Sequence, residues 1–192
     1  MKRSYALTAL VAAVGLLGLA APASAARHTV DSVHSATLFK VKHFNAGNFY
    51  GQFLSLNGAF DWDASKPSAA NISISVKTAS VFTGNRKRDE HLKGPDFFNA
   101  KQFPELSFQS TKVTSLGGKK YKVDGKLSLH GVTRAVTATF VHTGTGKGMK
   151  GEVREGFEAT LKIKRSDYGM KFMLGAIGDE VAITIAIEGI RQ

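Results

Sequence analysis

The sequence predicts an all-β fold, antiparallel, of about eight or more strands with one short helix, and three observations predict it. Apolar side chains recur at every second position in segment after segment, which gives each strand one oily face and one wet face. The breaks between these segments carry Gly, Asn, Asp or Pro, the residues that turns require. A single stretch, 86–93, abandons alternation for a run of helix formers. A chain patterned in this way closes as a sandwich or a barrel, and closure removes the unpaired edges that so apolar a sheet would otherwise expose.

Residues 1–25 stand outside the pattern. Lys2 and Arg3 precede an uncharged apolar run from Ala6 to Ala20, followed by Ala21-Pro22-Ala23-Ser24-Ala25. Charge, apolar run and small-residue exit, in that order, are the parts of a secretory signal peptide. The run of about 15 residues falls short of the roughly 20 that span a bilayer as a helix. Cleavage is expected after Ala25, leaving one domain, 26–192, long enough for a real core.

Along that domain Ser35 to Lys42 reads as a strand with Phe39 and Val41 on one face. Phe49 to Leu54 and Gly58 to Trp62 read as a pair around a turn at Asn57-Gly58. Ile72, Ile74 and Val76 alternate with Ser73, Ser75 and Lys77. Arg86 to Lys93 reads as the helix, ended near Gly94-Pro95, with Asp96 to Gln102 as a further helical turn. Leu106 to Val113 is the next strand. After it, Tyr121, Val123, Gly125, Leu127 and Leu129 share a face, as do Val136, Ala138 and Phe140. Phe157, Ala159, Leu161 and Ile163 repeat the pattern, and Val181, Ile183, Ile185 and Ile187 close it. Gly117-Gly118, Asp124-Gly125 and Gly144 to Gly148 read as connections.

Composition narrows the chemistry. The chain has no cysteine, so thiolate metal sites and thiol nucleophiles are excluded. Formal charge is +11; without residues 1–25, 24 basic side chains face 15 acidic ones, a balance of +9. The basic residues are scattered, as in Lys40, Lys42, Lys77, Lys122, Lys126, Lys162 and Lys164, and read as wetted outer faces that favour peripheral contact with an anionic membrane. Export argues against nucleic acid. The six histidines form neither H-E-x-x-H nor a close His-x-His pair, so spacing signals no metal. Gly144-Thr145-Gly146-Lys147-Gly148 is followed by a strand-rich segment and reads as a turn, not a phosphate loop. Asp61 and Asp63 share a strand face and read as solvated carboxylates. The densest polar cluster, Thr83 to Leu92, has two readings: Arg88 and Asp89 pin the helix to the barrel, or they form a polar rim. Alternation also leaves open whether the interior is filled by its own side chains or encloses one small ligand.

Several motifs, in order, resemble the YceI-like family. They are Val33-His34-Ser35, placed in an early strand; Phe49-Tyr50-Gly51-Gln52-Phe53; Val81-Phe82-Thr83-Gly84-Asn85 with Arg88-Asp89-Glu90-His91-Leu92; Asp96-Phe97-Phe98; Phe103-Pro104-Glu105-Leu106-Ser107-Phe108; Leu129-His130-Gly131-Val132-Thr133-Arg134; Arg165-Ser166-Asp167-Tyr168-Gly169-Met170; and Gly178-Asp179-Glu180-Val181. Ala135 departs from the family's usual Pro, and the loop around Lys147 to Lys150 is unusually rich in Gly and Lys.

The resemblance implies an extended antiparallel lipocalin-like β-barrel, exported to the periplasm and often a homodimer. Its apolar tunnel would hold a polyisoprenoid chain, such as an isoprenoid quinone or a prenyl phosphate, with no cofactor and no turnover. On that reading the tunnel candidates are Phe39, Val41, Phe53, Phe60, Ile72, Ile74, Val76, Phe108, Leu127, Leu129, Phe140, Leu161, Ile183 and Ile185. Arg88, His91 and Tyr168 are the headgroup candidates at the mouth. Two competing readings are an enzyme acting on a bound lipid, built from His34, His91, His130 and Asp89, and a solid β-protein acting through its surface.

Overall fold

The computed structural model describes residues 25–192; the expected signal peptide, apart from Ala25, lies outside the described residues. Eleven strands follow: β1 Ala26–Val30, β2 Ala36–His43, β3 Gly47–Phe53, β4 Leu56–Trp62, β5 Asn71–Lys77, β6 Val81–Phe82, β7 Glu105–Gly117, β8 Lys120–Leu129, β9 Val132–Lys147, β10 Val153–Lys164 and β11 Ile177–Arg191. Among the described residues one α-helix, α1, spans Arg86–Lys93.

Eight of these strands form a closed antiparallel ring in the order β1-β4-β5-β7-β8-β9-β10-β11. The ring closes where β11 returns to β1, His28 opposite Arg191 and Val30 opposite Gly189. The remaining three strands continue the wall past bends. β1 leads into β2, β3 into β4 and β5 into β6, so each pair is one long strand broken once. The breaks are tied together: Leu54 N–H donates to the Ser80 carbonyl at 3.0 Å and Lys77 N–H to the Ser55 carbonyl at 3.2 Å. β11 is long enough to serve both parts, pairing with β2 from Ile177 to Ala186 and with β1 beyond.

The wall has one gap. β6 pairs with β3 but, among the described residues, with no strand on its other side. The excursion 83–104 fills the gap and carries α1. Asn85 caps the helix, its side chain accepting from Arg88 N–H at 3.1 Å. Asp89 lies in the first turn and His91 and Lys93 in the last, as the helix dipole favours. Phe103 and Pro104 are fastened to the barrel by Thr78, whose hydroxyl donates to the Phe103 carbonyl at 2.7 Å.

The barrel therefore has two distinct ends. The β2–β3, β8–β9 and β10–β11 connections and α1 lie at one; the β4–β5, β7–β8 and β9–β10 connections lie at the other.

The structure corrects several local readings. Phe49–Leu54 and Gly58–Trp62 are two halves of one bent strand and not a hairpin, and Asn57-Gly58 lies inside β4. Asp124-Gly125 lies inside β8, and Gly144 to Lys147 inside β9, the turn following at 148–152. Val33-His34-Ser35 is the turn between β1 and β2, where Asp31 accepts from Val33 N–H at 2.9 Å. Asp96 to Gln102 forms successive hydrogen-bonded turns and not a helix.

Candidate functional site

The inward residues change size along the barrel. At the end away from α1 they are aromatic: Trp62 meets Tyr121 at 5.0 Å and Phe157 at 4.8 Å, both edge to face. Phe60 meets Phe157 edge to face at 5.6 Å and stacks on His28 at 4.9 Å. These rings leave only a void of about 10 Å³. Two positions further along β9 the inward residue falls from Phe140 to Ala138, and along β10 from Phe157 to Ala159. The strands keep their spacing, so the lost volume becomes space. Towards α1 the barrel is hollow, with about 130 Å³ open to the centres of water-sized molecules.

Glycine keeps this hollow from filling. Gly51 on β3 faces Phe39 on the neighbouring β2, and Gly125 on β8 faces Phe108 on β7. A Cβ at either glycine would stand in the ring. Both phenylalanines therefore lie back against bare backbone and line the wall without crossing the lumen.

Twelve of the fourteen tunnel candidates line this hollow: Phe39, Val41, Phe53, Ile74, Val76, Phe108, Leu127, Leu129, Phe140, Leu161, Ile183 and Ile185. Phe60 and Ile72 do not; they belong to the aromatic end and border the small void. They share strand parity with the lining residues but lie one or two inward positions too far along. The lining also includes residues that sequence reasoning did not single out. Leu92, Phe97 and Phe98 come from the α1 excursion, Met170 from the β10–β11 connection and Ile177 from the start of β11. Ala138, Ala159, Ile163, Val181 and Ile187 line it from strands whose alternation was already legible.

Two lining side chains can hydrogen-bond, Thr37 and Arg165, and neither presents a polar atom to the hollow's surface. Arg165, 4% exposed, turns its guanidinium into the β10–β11 connection. It donates to the carbonyls of Gly178, Met170, Phe172 and Ile177 at 2.8–2.9 Å. Burial pulls its pKa down, and nearby Asp179 opposes that. The charge staples the loop while its stem faces the hollow.

The headgroup candidates sit elsewhere. Arg88 donates to the Thr83 carbonyl and hydroxyl, both at 2.8 Å, and lies over the Phe49 ring at 4.4 Å. Asp89, buried, accepts from Thr83 N–H at 2.8 Å and from its hydroxyl. These bonds tie the first turn of α1 to Thr83, just after β6, and Arg88 is exposed. His91 packs against Phe97 and Phe172, its Nε2 2.9 Å from Asp96. Tyr168 is 1% exposed and does not line the hollow; burial raises its pKa. It is the last residue of the short 3-10 turn Arg165–Tyr168, which left-handed Gly169 ends. His34 is held outside by Asp31 at 2.8 Å, and His130 is tied to the Tyr168 carbonyl at 3.0 Å. None of His34, His91, His130 and Asp89 lines the hollow, so they form no shared centre inside it.

Fold and site together define an eight-stranded antiparallel barrel, closed by an aromatic plug at one end and opening inside into an apolar hollow beneath a helix. A YceI-like domain model matches residues 28–189, and the chain belongs to that family. It is 38% identical to a UPF0312 protein of Azotobacter vinelandii over 188 residues, covering 97% of each chain. Among solved structures it is similar to BcnA of Burkholderia cenocepacia, with TM-score 0.76, 25% identity and coverage of 83% of this chain and 98% of that one. It shares its fold with a polyisoprenoid binding domain from Saccharophagus degradans implicated in plant cell wall breakdown, with TM-score 0.67, 16% identity and coverage of 88% and 99%.

Proposed function

We propose that the protein holds a polyisoprenoid chain, of the isoprenoid quinone or prenyl phosphate type, in this hollow and does not turn it over. It would do so in the periplasm, in transport, storage or stress protection, with peripheral attraction to anionic membrane and with the option of a homodimer. The observation that carries the reading is the hollow itself: its surface is apolar throughout, and no polar atom of the bordering side chains reaches it. Such a space rewards a ligand for leaving water, at about 2.5 kcal/mol for each 100 Å² of apolar area buried. The likeness in fold to a polyisoprenoid binding domain supports the class of ligand.

The test is a solvent extract of the exported protein, analysed by mass spectrometry, followed by return of prenyl lipid to the stripped protein. A bound prenyl lipid is expected. Re-addition at a hundredfold excess over Kd should stabilise the fold by about 2.7 kcal/mol. An extract without lipid, together with no stabilisation by any prenyl lipid, overturns the reading.

A further inference from the structure

We propose that Phe140, backed by Ile187, is the length gauge of the hollow: the floor at which an apolar chain must stop. This rests on the lipid-holding reading and adds to it the kind of chain held and its orientation. Phe140 and Ile187 are the two residues that border both the hollow and the small void beyond it. Both are 4% exposed and belong to the buried core. Behind Phe140 stands Phe157, its ring centroid 6.4 Å away, which is itself held edge to face by Phe60 and Trp62. A partition backed by locked rings does not move aside, because interiors packed at crystal density transmit strain.

The step in side-chain size sets where the partition falls. Ala159 is the direct cross-strand neighbour of Phe140, and Ala138 lies two residues before it on the same strand. An apolar chain can pass the two alanines and then meets the ring. The floor is apolar, so the chain enters tail first and its polar end stays on the α1 side. The ligand class is a linear apolar chain with one polar end, in which only a fixed length of tail is sheltered.

The test measures affinities for a series of prenols with two to nine isoprene units, by competition with a fluorescent fatty-acid probe. Wild type is compared with Phe140→Ala, which joins the two voids, and Ala138→Leu, which raises the floor without emptying the core. In wild type, affinity should climb with each unit and then level at a break length. Phe140→Ala should move the break to longer prenols. Ala138→Leu should move it to shorter ones, with a loss of about tenfold or more for the longest prenol that wild type shelters. Should Phe140→Ala fail to fold, the Ala138→Leu shift decides alone. A break length unmoved in every folded variant, or a wild-type series without a break, overturns the gauge and leaves the lipid-holding reading standing. Failure of wild type to bind any prenol overturns both.

Discussion

The two halves of this barrel are built from strands that run through both or continue past a bend, with the same alternation, yet one is solid and the other hollow. The difference lies in the inward residue at each level. In the solid half these are Trp62, Tyr121, Phe60, Phe157 and Phe140, which meet edge to face and fill the cross-section. In the hollow half they are Ala138, Ala159 and a set of isoleucines, leucines and valines, together with phenylalanines that lie against glycine. An eight-stranded barrel has just enough interior to be filled or to hold one small ligand. Here a single chain does each in turn. The solid half anchors the fold, and the hollow half carries less packing energy in exchange for room.

That contrast is tested most strongly by truncation. In lipid-free protein, Trp62→Ala should cost about 3–5 kcal/mol, the range for emptying a filled aromatic site. Ile183→Ala should cost only about 1–2 kcal/mol, because its side chain already lacks neighbours on the lumen side. Urea denaturation of the two variants measures both. Equal losses would mean that the halves are equally packed and would break the comparison.

A smaller effect comes from adding an atom. A methyl group at Gly51 pushes the Phe39 ring off the wall, and the one direction with space is the lumen. Gly51→Ala should cost about 1–3 kcal/mol, as overpacking does, and should reduce lipid capacity by far more than its stability loss explains. Gly47→Ala is the control, since a Cβ there meets nothing within 4 Å. Adding Phe39→Leu to Gly51→Ala should restore capacity. Unchanged lipid uptake in Gly51→Ala would show that the hollow does not depend on the glycine niches.

The same glycines explain which parts of the structure were legible in the sequence. Alternation placed the strands and gave the correct inward parity for all fourteen tunnel candidates, because side-chain period depends on local backbone alone. It could not say at which level the barrel empties. Phe60 and Ile72 differ from Phe108 and Ile74 in height, not in pattern. Nor could it tell a glycine that turns the chain from one that lets a ring approach. Gly118 turns the chain, whereas Gly125 receives Phe108, yet Gly117-Gly118 and Asp124-Gly125 both read as connections. The bends were hidden for a similar reason. Leu54-Ser55 breaks a strand through bonds to Ser80 and Lys77, partners some 25 residues distant. Leu92, Phe97 and Phe98 of the α1 excursion had no strand parity to mark them as inward. The role of Arg165 appears only when four carbonyls, two from the β10–β11 connection and two from the start of β11, converge on it.

The smallest expected effect separates the halves by pH. His28 lies in the solid half, 2% exposed, stacked on Phe60, with Nδ1 2.9 Å from the Ala26 carbonyl. Burial is the main cause that lowers its pKa below the ordinary 6.5. The ring is therefore neutral in the fold while the unfolded chain takes up a proton, so stability should fall as pH drops through 6.5 towards the folded value and level off below it. A second loss should follow in acid. Asp31 is held well below the ordinary 3.8 by hydrogen bonds from His34 and Arg154. Its contribution is full above 3.8 and is lost as pH falls towards the folded value. The hollow half should not follow the first step, because the one ionisable side chain in its lining is Arg165, which stays protonated. Urea midpoints and lipid affinity measured between pH 7.5 and 5 should thus diverge, stability declining by up to about 1.4 kcal/mol per pH unit while affinity of the folded protein holds. His28→Phe keeps the stack on Phe60 and should flatten the decline. Affinity that fell in step with stability, and recovered with it in His28→Phe, would show that the plug and the hollow act as one unit.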